Sequence, residues 1–172
     1  MGDYCVALRW TWIFWLVRAL FAMTCSFVYP RRVEFVETDL AGIVHFSNFF
    51  RYMEQAEHAF IRSLGHSIHM QEGEQVIGWP RVHASADYRR PLRVEQEFEV
   101  QLLIKEIRTK SLRYAFRFRL KGNSDVLATG EIVSVCATYN EHEKRMKAVP
   151  IPEGIRSQIS EASDAMLADG MG

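Results

Sequence analysis

Residues 38–65 read TDLAGIVHFSNFFRYMEQAEHAFIRSLG, and the fold turns on how that stretch divides. Thr38-Asp39-Leu40-Ala41-Gly42 is a turn signal, because Asp bonds its own backbone and Gly tolerates tight geometry. Ser47 and Asn48 are residue types that cap helix N-termini. After them Phe49, Met53, Ala56, Phe60 and Leu64 recur at helical spacing, Phe50 and Ile61 widen the apolar face, and Gly65 supplies the C-terminal stop. That face is too wide for a helix lying on a surface, so the pattern predicts a helix wrapped by a sheet.

Strands lie on both sides. Upstream, Val33 and Phe35 alternate with Glu34, which predicts a short strand ending near Glu37. Residues 66–80 carry Gly73, Gly78 and Pro80 and read as a loop. Val82, Ala84, Ala86 and Tyr88 then alternate up to Pro91. Val94, Phe98, Val100, Leu102 and Ile104 alternate with polar residues, and the shift at Leu103–Ile107 marks a bulge or twist. Past the Thr109-Lys110 turn, Leu112, Tyr114, Phe116, Phe118 and Leu120 oppose Arg113, Arg117 and Arg119. Residues 121–125 form a hairpin loop, and Leu127 to Tyr139 reads as one long strand. Glu153–Leu167 is weakly amphipathic and reads as a helix. The arginine stripe faces either solvent or an anion or subunit partner. The order gives an α+β arrangement: a curved antiparallel β-sheet wrapped round a long central helix.

The chain has 172 residues, which is one domain at roughly 100–200 residues each. Lys+Arg and Asp+Glu are 21 each, so the net charge is zero and the basic excess of a generic nucleic-acid binder is missing. Cys5, Cys25 and Cys136 are too far apart for a C-x-x-C pair and read as free thiols of a reducing compartment, which points to the cytoplasm.

Residues 4–29 are unlike the rest and include Trp10, Trp12 and Trp15. The stretch from Trp10 to Tyr29 is long enough for a membrane span, but Arg18 near its middle costs about 2.5–3.5 kcal/mol on insertion scales. Membrane contact is therefore the less favoured reading. If Met23 is the biological start, residues 1–22 are an extension outside the fold. The division expected is an N-terminal extension over 1–28, the domain over 29–150, and a C-terminal helix and tail over 151–172.

Val33 to Asn48, reading VEFVETDLAGIVHFSN, resembles the signature of hotdog-fold acyl-CoA thioesterases, closest to the 4-hydroxybenzoyl-CoA thioesterase type. The resemblance covers residues 30–150. It implies the hotdog fold and hydrolysis of an aromatic or short- to medium-chain acyl-CoA, with no cofactor and no metal. Such a reaction needs a nucleophile or general base and donors for the oxyanion. Asp39 takes the first role, either attacking the thioester carbon or activating a water. The resemblance assigns the donor to the Phe46 backbone amide at the helix N-terminus, with Ser47 next, where amides carry partial positive charge. Gly42 either lets the backbone approach substrate or makes the turn. His45, Ser47, Asn48 and Phe49 are candidate substrate contacts, although capping explains Ser47 and Asn48 equally well. Glu54 and Glu57 read as structural or dimer-contact residues. For the CoA phosphates the candidates are Arg108, Lys110 and Ser111 at one turn, and Arg89 and Arg90 before Pro91. The resemblance further implies a homodimer or homotetramer.

Other chemistries find no motif: there is no G-x-S-x-G elbow, no P-loop, no G-x-G-x-x-G and no HExxH. Two alternatives share the fold, an enoyl-CoA hydratase or dehydratase and a non-catalytic acyl-CoA-binding protein. Asp39 and His45 superficially suit the first, and an intact Asp39 argues against the second.

Overall fold

A computed structural model describes residues 23–72, 75–140 and 144–169. The alternation read in the sequence becomes four antiparallel strands, β4 (Arg81–Tyr88), β5 (Glu97–Ile107), β6 (Ser111–Leu120) and β7 (Val126–Val135), and a fifth strand, β1 (Ser26–Arg32), joins them. They form one sheet in the order β1-β5-β6-β7-β4. Period-two alternation puts Phe98, Val100, Leu102 and Ile104 on one face of β5 and Leu112, Tyr114, Phe116 and Phe118 on the same face of β6, all buried. The β5–β6 register shifts between Ile104 and Glu106, where the sequence pattern shifts.

Helix α1 (Ser47–Ser63) lies on that face. Its Phe49, Tyr52, Met53, Ala56, Phe60 and Ile61 are buried in the same core as the strand residues. Gly65 follows with φ +81°, as the stop signal requires. The Met53 side chain of α1 packs over Gly130 in β7. A Cβ there would lie 2.3 Å from the Met53 sulfur and 3.0 Å from the Ser85 carbonyl oxygen.

Four sequence expectations are corrected. First, the strand expected at Val33–Glu37 lies earlier, at Ser26–Arg32, paired with β5 from Ser26↔Leu103 to Arg32↔Glu97. Phe35–Glu37 is a 3-10 turn closed by a reciprocal Glu34/Glu37 capping box. Phe35 and Val36 are 81% and 87% exposed, so their alternation with Glu34 did not report burial. The start of β1 also brings residues 26–28, expected in the extension, into the sheet.

Second, the expected 66–80 loop contains β2 (Met70–Glu72) and β3 (Gln75–Gly78). Third, the long last strand divides at Cys136, whose N–H turns to the Lys110 carbonyl (2.8 Å). Its remainder is β8 (Ala137–Asn140), which joins β9 (Arg145–Ala148) in a second sheet ordered β2-β3-β8-β9.

Fourth, the C-terminal helix is two short ones, α2 (Glu153–Arg156) and α3 (Asp164–Ala168). Between them Ile159 bridges Thr24 at the start of the sheet. This segment also decides the arginine stripe. Arg117 is only 4% exposed and donates to the carbonyl oxygens of Met166 (2.8 Å) and Leu167 (2.6 Å). Arg119 reaches Gln101 and Asp169, while Arg113 pairs with Glu131 and Glu106. The stripe is thus engaged by this chain's own C-terminal end and its neighbouring strands.

No helix among the described residues is long and apolar enough to cross a membrane. The tryptophan-rich residues 4–22 lie outside the described residues.

Candidate active site

The Asp39 turn is a miniature hairpin between β1 and α1. The His45 N–H donates to the Glu37 carbonyl (2.9 Å), the Asp39 N–H to the Ile43 carbonyl (2.8 Å), and Thr38 bridges Val44. The tip closes with the Gly42 N–H on the Asp39 carbonyl (3.0 Å). Gly42 has φ +70° with nothing within 4 Å of a built Cβ, so within this chain the turn conformation, and not crowding, calls for glycine. Asp39 Oδ1 accepts the N–H groups of Ala41 (2.8 Å) and Ile43 (3.5 Å). This Asx-type turn orients the carboxylate while Oδ2 has no donor among the described residues.

Helix α1 begins one residue after Phe46, which occupies its N-cap position. The next amides are partly satisfied: Ser47 N–H by His45 Nδ1 (3.4 Å), Asn48 N–H by the His45 carbonyl (2.9 Å) and Phe49 N–H by the Phe46 carbonyl (3.3 Å). Among the described residues the Phe46 N–H has no acceptor, the condition an oxyanion donor must meet before substrate arrives.

Asp39 and Phe46 line one open cleft of about 410 Å³ with Ile43, Val44, Phe49, Tyr88, Arg89, Arg90, Pro91 and Leu92. Val44, Phe49 and Leu92 are buried and supply an apolar floor. The ring of Phe49 meets the rings of Tyr88 and Phe118 edge-on, each at 5.0 Å. A carboxylate, an unoccupied helix-terminal amide and two arginines around an apolar floor can hold an acyl group and stabilise negative charge on its carbonyl oxygen.

The other sequence candidates are distributed unevenly. Arg89 and Arg90 follow β4, both N–H groups bonding the Leu127 carbonyl, and Arg90 pairs with Asp125 at 2.6 Å on the surface. His45 and Ser47 pair with each other (Nδ1 to Oγ, 2.8 Å) and are not among the cleft-lining residues. Asn48 is 8% exposed, and its amide nitrogen donates to the Glu37 carbonyl (2.7 Å) instead of reaching the cleft. Arg108, Lys110 and Ser111 sit at the β5–β6 turn. Arg108 pairs with Glu106 (2.8 Å), and Lys110 donates to the Ala148 carbonyl (3.1 Å). Tyr88 pairs with Ala128, which pairs with Phe118 at the opposite end of β6. At ~3.3 Å per residue, the run of β6 from Ser111 to Phe118 separates that turn from the cleft by roughly 23 Å.

Sequence reasoning missed Tyr88 as a cleft residue. It reads there only as the last member of an alternating strand, yet its hydroxyl donates to the Phe46 carbonyl (3.2 Å) and ties the end of β4 to the start of α1. Burial, with Asp87 beside it, raises the Tyr88 phenol above its usual range. On the far half of α1, Glu57 is buried against Arg81 (2.7 Å) and Ser134 (2.8 Å). Burial raises its carboxyl above the ordinary value, opposed by those two partners. Glu54 lies 3.4 Å from Arg81 on the exposed side.

The matches to known proteins agree with this architecture. The chain belongs to the Thioesterase-like superfamily, whose profile it matches over residues 33–159, and is a thioester hydrolase. It is 35% identical over 133 residues to an Aquifex aeolicus protein named only as an esterase, a match covering 75% of this chain and 94% of that one. It is 27% identical over 142 residues to a 1,4-dihydroxy-2-naphthoyl-CoA hydrolase of Synechococcus elongatus, with coverage of 81% and 98%. Among solved structures, a gentisyl-coenzyme A thioesterase superposes with TM-score 0.63 at 29% identity, over 76% of this chain and 99% of that one.

Proposed function

We propose that this protein hydrolyses acyl-CoA thioesters carrying an aromatic or short- to medium-chain acyl group. The observation that carries the reading is that the Asp39 carboxylate and the open Phe46 amide line the same apolar-floored cleft. The thioester carbonyl oxygen takes the Phe46 N–H, whose partial positive charge at the helix N-terminus strengthens as the oxyanion forms. Asp39 Oδ2 either attacks the carbonyl carbon, breaking the C–S bond to give an acyl anhydride that water then hydrolyses, or takes a proton from a water that attacks that carbon; on both routes the CoA thiolate leaves and is protonated. Arg89 and Arg90 at the cleft rim receive the anionic part of CoA. The 1,4-dihydroxy-2-naphthoyl-CoA and gentisyl-CoA activities named for two relatives favour an aromatic acyl group over an aliphatic one.

The fold belongs to the same reading: a hotdog domain over the expected residues 29–150, extended at its start to take in all of β1 from Ser26, with the sheet wrapped round α1, and a C-terminal segment over 151–172. Among the described residues β4 ends the sheet with no strand on its outer edge. A second copy of this chain adding to that edge gives the homodimer, or half of a homotetramer, and hides the edge from unwanted pairing. In such an assembly Arg108, Lys110 and Ser111 of one subunit serve the cleft of another. The location proposed is the cytoplasm.

Free-thiol release from a panel of aromatic and aliphatic acyl-CoAs tests the proposal. Release that requires Asp39 and ranks aromatic esters first is the expected result. A folded protein that releases no thiol but removes the double-bond absorbance of crotonyl-CoA is a hydratase instead.

A further inference from the structure

We infer that Glu37 is the positioning residue that sets the Asp39 carboxylate against the Phe46 amide, an inference that rests on the function proposed above. Glu37 stands at the junction of three elements. Its carbonyl oxygen accepts two hydrogen bonds, from the His45 N–H that closes the Asp39 hairpin (2.9 Å) and from the Asn48 side-chain amide on α1 (2.7 Å). Both lone pairs are therefore committed, one to the turn and one to the helix.

The Glu37 carboxylate makes the third and fourth ties. Oε1 accepts Arg31 of β1 (2.8 Å), and Oε2 accepts the Glu34 N–H (2.8 Å). Arg31 in turn bonds the Gln55 side chain and lies 5.2 Å from the centre of the Tyr52 ring. Asn48, Tyr52 and Gln55 are four and three residues apart, so they form one face of α1, and Glu37 and Arg31 engage that face together. The Tyr52 hydroxyl is buried with no hydrogen-bond partner. Burial first, and the neighbouring Glu37 carboxylate second, hold its phenol well above the ordinary range. The carboxylate thus faces a neutral, uncharged side chain within the helix.

Asp39 is two residues beyond this junction and Phe46 one residue beyond His45. Their separation is set by the hairpin and by the angle at which it meets α1, and Glu37 holds both. The ion pair is partly buried, with Arg31 and Glu37 side chains 20% and 15% exposed, so removing one partner leaves the other poorly solvated. A misplacement of about 1 Å at a reacting group costs on the order of 10²-fold in rate.

The test compares Glu37→Ala, Asn48→Ala and the paired Arg31→Gln/Glu37→Gln variant in the full chain, with turnover expressed per folded molecule. Glu37→Ala is expected to lower kcat by about 10- to 100-fold with KM within about twofold. The paired Gln variant, which removes both charges and keeps hydrogen-bonding groups, is expected to recover most of that loss. A merely structural role predicts a lower melting temperature with kcat per folded molecule unchanged, and that result overturns the inference. If Glu37→Ala does not fold, Asn48→Ala decides by cutting one tie to the same carbonyl: a kcat loss at constant KM supports positioning, and unchanged kcat overturns it. Asp39→Ala is run beside them. If it is inactive while Glu37→Ala is normal, only this inference fails; if it retains turnover, the proposed function fails first.

Discussion

The two ends of the five-stranded sheet carry similar charges and have different surroundings. At one end Arg89 and Arg90 flank a cleft that also holds Asp39 and Phe46. At the other, Arg108 and Lys110 occupy a hairpin turn and are held by Glu106 and by the Ala148 carbonyl. Each end also has an exposed glutamate between two cations, Glu97 with Arg32 and Lys121, and Glu106 with Arg108 and Arg113. The basic residues alone do not distinguish the ends. What does is the helix N-terminus, because α1 runs in one direction and presents the open Phe46 amide at only one end.

The largest effect that tests this contrast is at Asp39. Asp39→Ala is expected to lower thiol release by about 10³-fold or more in a protein that stays folded, measured by single-substrate kinetics beside circular dichroism. Retained turnover would move the chemistry away from the cleft end. Next comes the middle of the sheet, where the Met53 side chain packs over Gly130. Gly130→Val drives a side chain into Met53 and is expected to cost about 1–3 kcal/mol of stability, read from urea or thermal unfolding.

A smaller effect separates the two basic clusters. Arg89→Ala with Arg90→Ala is expected to raise KM for CoA esters about tenfold with little change in kcat, as loss of a remote contact should. In the proposed assembly, Arg108→Ala with Lys110→Ala is expected to raise KM more than it lowers kcat. An unchanged KM for this second pair removes the far turn from the CoA site and leaves one working end per chain.

The smallest effect is electrostatic. Lys121 and Arg32 hydrogen bonds lower the Glu97 carboxyl from 4.5 to about 2. The folded pKa lies below the unfolded one, so this contribution is present above pH 4.5 and is lost as the pH falls through about 2. Glu97 is exposed and solvent screens the pair, so Glu97→Gln is expected to flatten the acid limb of the stability profile only slightly. A steep change there would make this end of the sheet far more dependent on ion pairing than its exposure indicates.

Much of this contrast is legible in the order of residues along the chain. The spacing of Phe49, Met53, Ala56 and Phe60 marks a buried helix because its period follows from 3.6 residues per turn. The strands β4 to β7 show the alternation of pleated backbone, and the shift near Leu103–Ile107 coincides with a register change. Phe35 and Val36 mislead because alternation reports a pattern and not what covers it. The C-terminal segment misleads for a related reason: Ile159 is apolar because it packs beside Thr24, not because it continues a helix.

The local order of Asp39, Gly42 and the helix start was determined by the sequence alone, since turn chemistry and helix periodicity act over a few residues. Which basic cluster shares the cleft, why Asn48 turns toward Glu37, and how Tyr88 meets Phe46 were decided by the tertiary structure. Tyr88 and Phe46 are 42 residues apart and meet through one hydrogen bond. Contacts of that kind arise when strand order and helix packing bring distant segments together, and no local spacing encodes them.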